Sequence, residues 1–254
     1  MAESWTGVFR VGDAEASRAS QVAVPALCGW LQEAAGRNAR ANAISIEDLH
    51  AQGLTWVLGR LELEWPGWPR SGRSARVSTW PARVRSFFVV RDFEVEDAET
   101  KQPWVRATST WFVMSRRRRR AVRIPASVAE VARPDRPRAL EETWAKLPAI
   151  GRVDRTLELE VGARDLDVND HVNHIRTVAW GLECCAPTKA GAPVLRSLQV
   201  DFLAELRLGD RAVVRAEVAE RRGSRLASAS IETSEGVEAA RLRAAWGPVA
   251  ESGV

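Results

Sequence analysis

The sequence predicts an α+β protein made of two similar halves, each a helix followed by a run of antiparallel strands. Three observations carry this. An apolar stripe at helical spacing occurs twice, alternating strand-like segments follow each stripe, and a proline- and charge-rich stretch separates the two sets.

In the first half, Leu27, Trp30, Leu31, Ala34 and Ala35 recur at helical spacing over Pro25–Ala43, with Gln32, Glu33, Arg37 and Asn38 between them. The segment Trp56–Trp65 alternates cleanly from Leu61, as a half-buried strand does, and Pro66-Gly67-Trp68-Pro69 ends it. Further strands are expected at Ala75–Ala82, Phe87–Glu96 and Trp104–Met114. The second half repeats the order. A helix over His171–Ala186 carries Val172, Ile175, Val178, Ala179, Leu182 and Cys185 on or near one face. Strands are then expected at Leu195–Ala204, Ala212–Glu220, Leu226–Thr233 and Ala239–Trp246. The final strands of the two halves read alike, Val105–Trp111 against Ala240–Trp246.

Residues 133–148 read as a linker, giving an N-terminal domain over 1–132 and a C-terminal domain over 149–254. A long helix wrapped by a curved sheet, twice in tandem, is the pattern of a double hotdog. Periodicity alone also admits other α+β sandwiches.

Composition excludes several classes. A net charge of +4 over 254 residues is too small to imply a nucleic-acid partner. Most of the eleven tryptophans fall at strand or helix positions, such as Trp30, Trp80, Trp111, Trp180 and Trp246, where core packing explains them. Three cysteines, two of them the adjacent Cys184 and Cys185, form neither a disulfide framework nor a zinc spacing. No leader of basic then apolar residues and no bilayer-length apolar run is visible, so membrane insertion is not expected and the cytoplasm is the default location. No phosphate loop, serine elbow or metal-ligand spacing occurs, and no metal or organic cofactor is implied. His50 stands alone in an expected loop.

The segment with chemistry in it precedes the second helix. Asp165, Asp167, Asn169 and His171 are spaced by two, so an extended chain would show them on one face, with Leu166 and Val168 turned into the core. The first turn of the following helix offers unpaired N–H groups and a positive dipole end, which suit a developing oxyanion. The bland alternative is that Asn169 or Asp170 caps the helix and His171 sits in its first turn. Four polar groups on one face are harder to explain by capping.

The run Asp165-Leu166-Asp167-Val168-Asn169-Asp170-His171-Val172-Asn173, followed by Trp180, resembles the signature of the acyl-acyl-carrier-protein thioesterases of plants and bacteria. The resemblance extends to Leu31-Gln32-Glu33-Ala34-Ala35, Thr55-Trp56-Val57-Leu58, Val77-Ser78-Thr79-Trp80, Arg91-Asp92-Phe93 and Arg106-Ala107-Thr108-Ser109. It implies tandem hotdog domains, the first gripping the acyl chain and the second carrying catalysis. It also implies that Asp167, Asn169 and His171, with Glu205 on a downstream strand, are the catalytic residues.

Two departures matter. Leu206 stands where many relatives have a cysteine once proposed as nucleophile, which excludes that mechanism here. His174 and Thr177 stand where an asparagine and an aromatic are usual.

The resemblance implies hydrolysis of fatty acyl-acyl carrier protein to free fatty acid and carrier thiol, with Glu205 or His171 activating water, or with a carboxylate attacking directly. Alternatives are an acyl-coenzyme A thioesterase with the same residues, a hotdog hydratase or dehydratase, and a non-catalytic thioester sensor. The partner implied is the acidic carrier protein. Arg116, Arg117, Arg118, Arg119 and Arg120 form a basic run that could dock it or simply be a solvated hairpin tip. A tandem repeat can supply within one chain the sheet-edge pairing that single hotdogs seek between chains, and a homodimer is compatible with it.

Overall fold

The computed structural model describes residues 4–17, 21–132, 135–141, 145–187 and 193–248, in two units, residues 1–143 and 144–254. The first unit runs β1 (Trp5–Arg10), α1 (Val24–Ala41), α2 (Ile46–His50), β2 (Leu54–Glu64), β3 (Ser74–Val84), β4 (Phe88–Asp97), β5 (Pro103–Ser115), β6 (Arg120–Ala121) and α3 (Ala126–Ala129). Its strands form an antiparallel sheet in the order β1-β3-β4-β5-β2, with β6 paired to β5.

The five apolar positions read from the sequence lie on the buried face of α1, with Cys28 and Ala39, and the helix packs on β1 and β3. Pro25 fits the first turn of the helix, where its missing N–H costs nothing. Asn38, expected among the polar positions, is buried, because Arg91 of β4 reaches it from the sheet. His50 is not in a loop: it closes α2, with Nε2 3.2 Å from Thr55 Oγ1.

The second unit runs β7 (Arg155–Glu160), α4 (His174–Cys185), β8 (Val194–Phe202), β9 (Arg211–Arg221), β10 (Ser224–Thr233) and β11 (Glu238–Gly247). Its antiparallel order is β8-β11-β10-β9-β7, with α4 packed across β7, β9, β10 and β11. Helix α4 starts at His174, not His171, and its buried face is Thr177, Val178, Trp180, Gly181, Cys184 and Cys185. The helix is therefore turned from the expected stripe, leaving Ile175, Ala179 and Leu182 half-buried. Close approach to the sheet explains the rotation: a Cβ at Gly181 would lie 2.7 Å from Leu242 Cδ1. Burial pushes the Cys185 thiol up to about 12, as it does Cys28, so these are packing groups.

The stretch expected as a linker is strapped down at both ends. Arg138 donates to Asp92 at 2.7 Å and 3.0 Å, the Ala139 N–H donates to the same carboxylate, and Ala139 packs with Trp80 and Ala82. Further on, the Leu147 N–H donates to Asp201 Oδ2 at 2.8 Å and Arg241 donates to the Leu147 carbonyl. Among the described residues no helix is long and apolar enough to cross a membrane.

Candidate active site

Ahead of α4 the chain makes a small hydrogen-bonded cage. Residues Ala163–Asp165 form one 3-10 turn, in which the Gly162 N–H donates to Asp165 Oδ2 at 3.0 Å. Arg176 of α4 donates to the other oxygen of this buried carboxylate at 2.8 Å. Asp165 is thus committed to holding the turn against the helix. Leu166 and Val172 then pair as a two-residue antiparallel bridge, and the chain between them reverses.

That reversal corrects the extended-strand reading. The Asp167 N–H donates to the His171 carbonyl at 2.8 Å, the Asp170 N–H to the Asp167 carbonyl, and the Asn169 N–H to Asp167 Oδ1 at 2.8 Å. Asp170 takes a φ of 60°, a left-handed conformation that aspartate tolerates in turns. Val168 is 89% exposed at the tip instead of turned into the core. The capping alternative also fails for Asn169 and Asp170. Asn173 is the N-cap, its Oδ1 accepting from the Ile175 N–H at 2.9 Å.

Glu205 lies in the loop after β8, not on a strand. The loop is pinned on both sides of it: the Ala204 N–H donates to the Ala239 carbonyl, and the Val172 N–H donates to the Leu206 carbonyl at 2.8 Å. Leu206 is buried, which turns its neighbour outward. The result is a contact between residues far apart in sequence: His171 Nε2 sits 3.1 Å from Glu205 Oε2. Both side chains are partly accessible, at 25% and 32%.

Of the four expected residues, His171 and Glu205 touch, and Asp167 and Asn169 share the same turn beside them. The Asn169 carboxamide has no protein partner among the described residues. Two neighbours were not anticipated. Arg207 places Nη2 3.6 Å from Glu205 Oε2. His174, the first residue of α4, packs edge-on against Phe202 at 6.0 Å, and burial pushes its imidazole down to about 4 against the opposing pull of the Asp167 carboxylate. The only sequence signals for them were the nearness of Arg207 to Glu205 and the unusual residue at 174.

The arginine run forms an exposed tip. Arg116–Arg119 make the turn between β5 and β6, and Ser115 holds it by accepting from the Arg118 and Arg119 N–H groups. Among the described residues no group of three or more histidine, cysteine or acidic side chains could hold a metal ion.

An accessible imidazole–carboxylate pair can accept and return a proton, and a free carboxamide beside a helix start can hold a carbonyl oxygen. The family model for the acyl-ACP thioesterase N-terminal domain matches residues 3–131, and that for the acyl-ACP thioesterase C-terminal domain matches residues 151–248. The chain is 29% identical over 166 residues to a chloroplastic palmitoyl-acyl carrier protein thioesterase of Cuphea hookeriana, covering 62% of this chain and 40% of that protein. It is 29% identical over 209 residues to the protein of the same name from Gossypium hirsutum, covering 77% and 49%. The matches thus span about half, or less, of the length of these curated relatives.

Two solved structures share the fold. A 12:0-ACP thioesterase from Umbellularia californica superposes with a TM-score of 0.86 at 21% identity, covering 97% of this chain and 94% of that one. An acyl-ACP thioesterase from Bacteroides thetaiotaomicron gives 0.84 at 21% identity, covering 95% and 96%. The double hotdog expected from the sequence is the fold observed.

Proposed function

The chain belongs to the acyl-ACP thioesterase family, and we propose that it hydrolyses fatty acyl-acyl carrier protein to free fatty acid and the carrier thiol. The observation that carries this reading is the 3.1 Å contact between His171 and Glu205 on two loops pinned to each other by the Val172–Leu206 hydrogen bond. The pair takes a proton from water as its oxygen attacks the thioester carbonyl. Asn169 holds, through its carboxamide N–H, the oxygen that becomes negative. The C–S bond then breaks, and the departing thiolate recovers the proton. Asp167 braces the turn through the Asn169 N–H and so sets where that carboxamide lies.

In this reading residues 149–254 carry the chemistry and residues 1–132 grip the acyl chain, with 133–148 as the connection between them. The exposed Arg116–Arg120 tip docks the acidic carrier. Three buried free cysteines suit a reducing compartment such as the cytoplasm.

The test is a free-thiol assay over a chain-length series, with each acyl group presented on carrier protein and on coenzyme A. Thiol release with preference for the carrier is the expected result. Preference for coenzyme A would reassign the handle. Absence of release from every thioester would overturn hydrolysis and leave hydration or sensing.

A further inference from the structure

Two consecutive residues of β4 are both charged and both buried, yet they are met in opposite ways. Asp92 faces away from α1 and is matched on every side: Arg138 donates twice, and Thr108 Oγ1 and the Ala139 N–H donate as well, at 2.8 Å and 2.9 Å. Arg91 faces α1, is 6% exposed, and meets no carboxylate among the described residues. Its Nη1 donates to two neutral oxygens, Asn38 Oδ1 at 2.9 Å and Thr79 Oγ1 at 3.2 Å. The Thr79 hydroxyl donates onward to the Asp92 carbonyl, which fixes its oxygen toward Arg91.

Nε and Nη2 of Arg91 have no protein acceptor among the described residues. They are also not among the unpartnered nitrogens sealed from solvent, so this edge of the guanidinium opens onto accessible space. Burial pushes the group down to about 10 with no carboxylate opposing it, and at neutral pH it still carries its charge. A buried cation with no counter-ion is costly to keep, and a guanidinium edge is shaped to take two carboxylate oxygens.

We propose that Arg91 is a binding residue for a carboxylate borne on an acyl chain, the Nε–Nη2 edge taking both oxygens while Asn38 and Thr79 hold Nη1. Two sources present that chemistry: a free fatty acid, and the distal carboxylate of a dicarboxylic acyl thioester. The inference leans on the proposed function only for the acyl chain, and binding is measured without hydrolysis.

Calorimetric titration of the full chain with dodecanoate and with dodecanol tests it. The acid should bind about tenfold or more tightly than the alcohol, the discrimination expected of a charge-assisted bidentate contact. Arg91→Met should erase that difference. Asn38→Asp should erase it too, because it places an internal carboxylate where Nη1 now meets an amide, and it should melt no lower than the parent. The second variant thereby separates a lost site from a lost fold. Equal affinity for acid and alcohol in the parent, or a preference that survives in folded Asn38→Asp, overturns the proposal.

Two kinetic arms identify the source. A distal-carboxylate site makes the dodecanedioyl monothioester a better substrate than the dodecanoyl thioester in the parent only. A fatty-acid site makes dodecanoate an inhibitor in the parent only. If no thioester is cleaved at all, the hydrolytic reading falls while the acid–alcohol difference still stands.

Discussion

The segment ahead of the main helix is the same piece of architecture in both units, and only the second copy brings an imidazole onto a carboxylate. In the first, the Gly12 N–H donates to Glu15, Ala16 bridges Val22, Ala23 N–H donates to the Glu15 carbonyl, and Val22 N–H donates to the Pro69 carbonyl. In the second, Gly162 donates to Asp165, Leu166 bridges Val172, Asn173 N–H donates to the Asp165 carbonyl, and Val172 N–H donates to the Leu206 carbonyl. Trp30 and Trp180 then fall at the same place in their helices, both buried. Position for position, the first copy has Ser17, Ala19 and Gln21 where the second has Asp167, Asn169 and His171. Trp68 precedes Pro69 where Glu205 precedes Leu206. Backbone hydrogen bonds make the scaffold, and a few side chains displayed on it make the difference between a packing element and a site.

The largest effect that can break this comparison is on turnover. Glu205→Ala and His171→Ala should each lower kcat/KM by roughly 10²–10⁴, the range for loss of a general acid–base group, with unchanged circular dichroism. Asn169→Ala should cost about 10²–10³ as a lost oxyanion donor. The matching change in the blank copy, Gln21→Ala, should leave turnover within about twofold of the parent, far below any general acid–base loss. A folded Glu205→Ala protein with near-normal turnover would remove the water-activating pair from the mechanism.

The straps offer a second contrast, read in stability. Asp92 accepts an ion pair and two further hydrogen bonds in full burial, so Asp92→Ala strands Arg138 and should cost about 3–5 kcal/mol. Asp201 is buried, accepts from the Leu147 N–H and has the Arg241 cation within electrostatic reach, and Asp201→Ala should cost about 1–3 kcal/mol. Urea melts of the two variants check the order. Equal losses would mean that the Arg138 pair adds nothing beyond its hydrogen bonds.

The sequence disclosed the long periodic elements and hid the contacts between them. Helix α1 and the strands after each helix follow apolar spacing closely enough to be read directly. The edge strands β1 and β7 are six residues each and carry too short an alternation to stand out. Asp167–His171 has the spacing of a strand face, yet aspartate and asparagine supply turn chemistry that reverses the chain, so residues expected on one face of a strand sit on a turn. Glu205 was reachable only through family resemblance, because a loop residue has no periodicity to betray it. The rotation of α4 was hidden because Gly181 and Cys184 count little as apolar residues and matter as small ones. Arg91 is a single charge in a strand; that no carboxylate among the described residues meets it is a fact of tertiary structure.

A smaller effect separates the helix starts. Ala23 precedes α1, whereas α4 opens with His174, whose imidazole ionises near 4 in the folded chain against 6.5 ordinarily. Between those values the unfolded chain binds the extra proton. The stability is therefore full above pH 6.5 and is lost as pH falls toward 4, by up to roughly 3 kcal/mol. His174→Asn cannot take that proton, so its melting temperature should gain on the parent as pH drops through this window. A gap between the two proteins that stays constant with pH would rule out a neutral buried His174.

The smallest expected effect tests the docking role proposed for the first unit. Its exposed Arg116–Arg120 tip lies at the turn between β5 and β6. Exposed charges act chiefly on encounter, through a field screened over about 8 Å at physiological salt. Reversing Arg117 and Arg118 to Glu should therefore raise KM for carrier-linked substrate several-fold, leave kcat unchanged, and lose most of its effect at about 0.5 M salt. A small acyl thioester, which brings no acidic surface, should be hydrolysed equally well by parent and variant. A matching rise in KM for both substrates would mean that the tip acts through the fold of the unit, since a docking surface has no reason to affect a substrate that never docks.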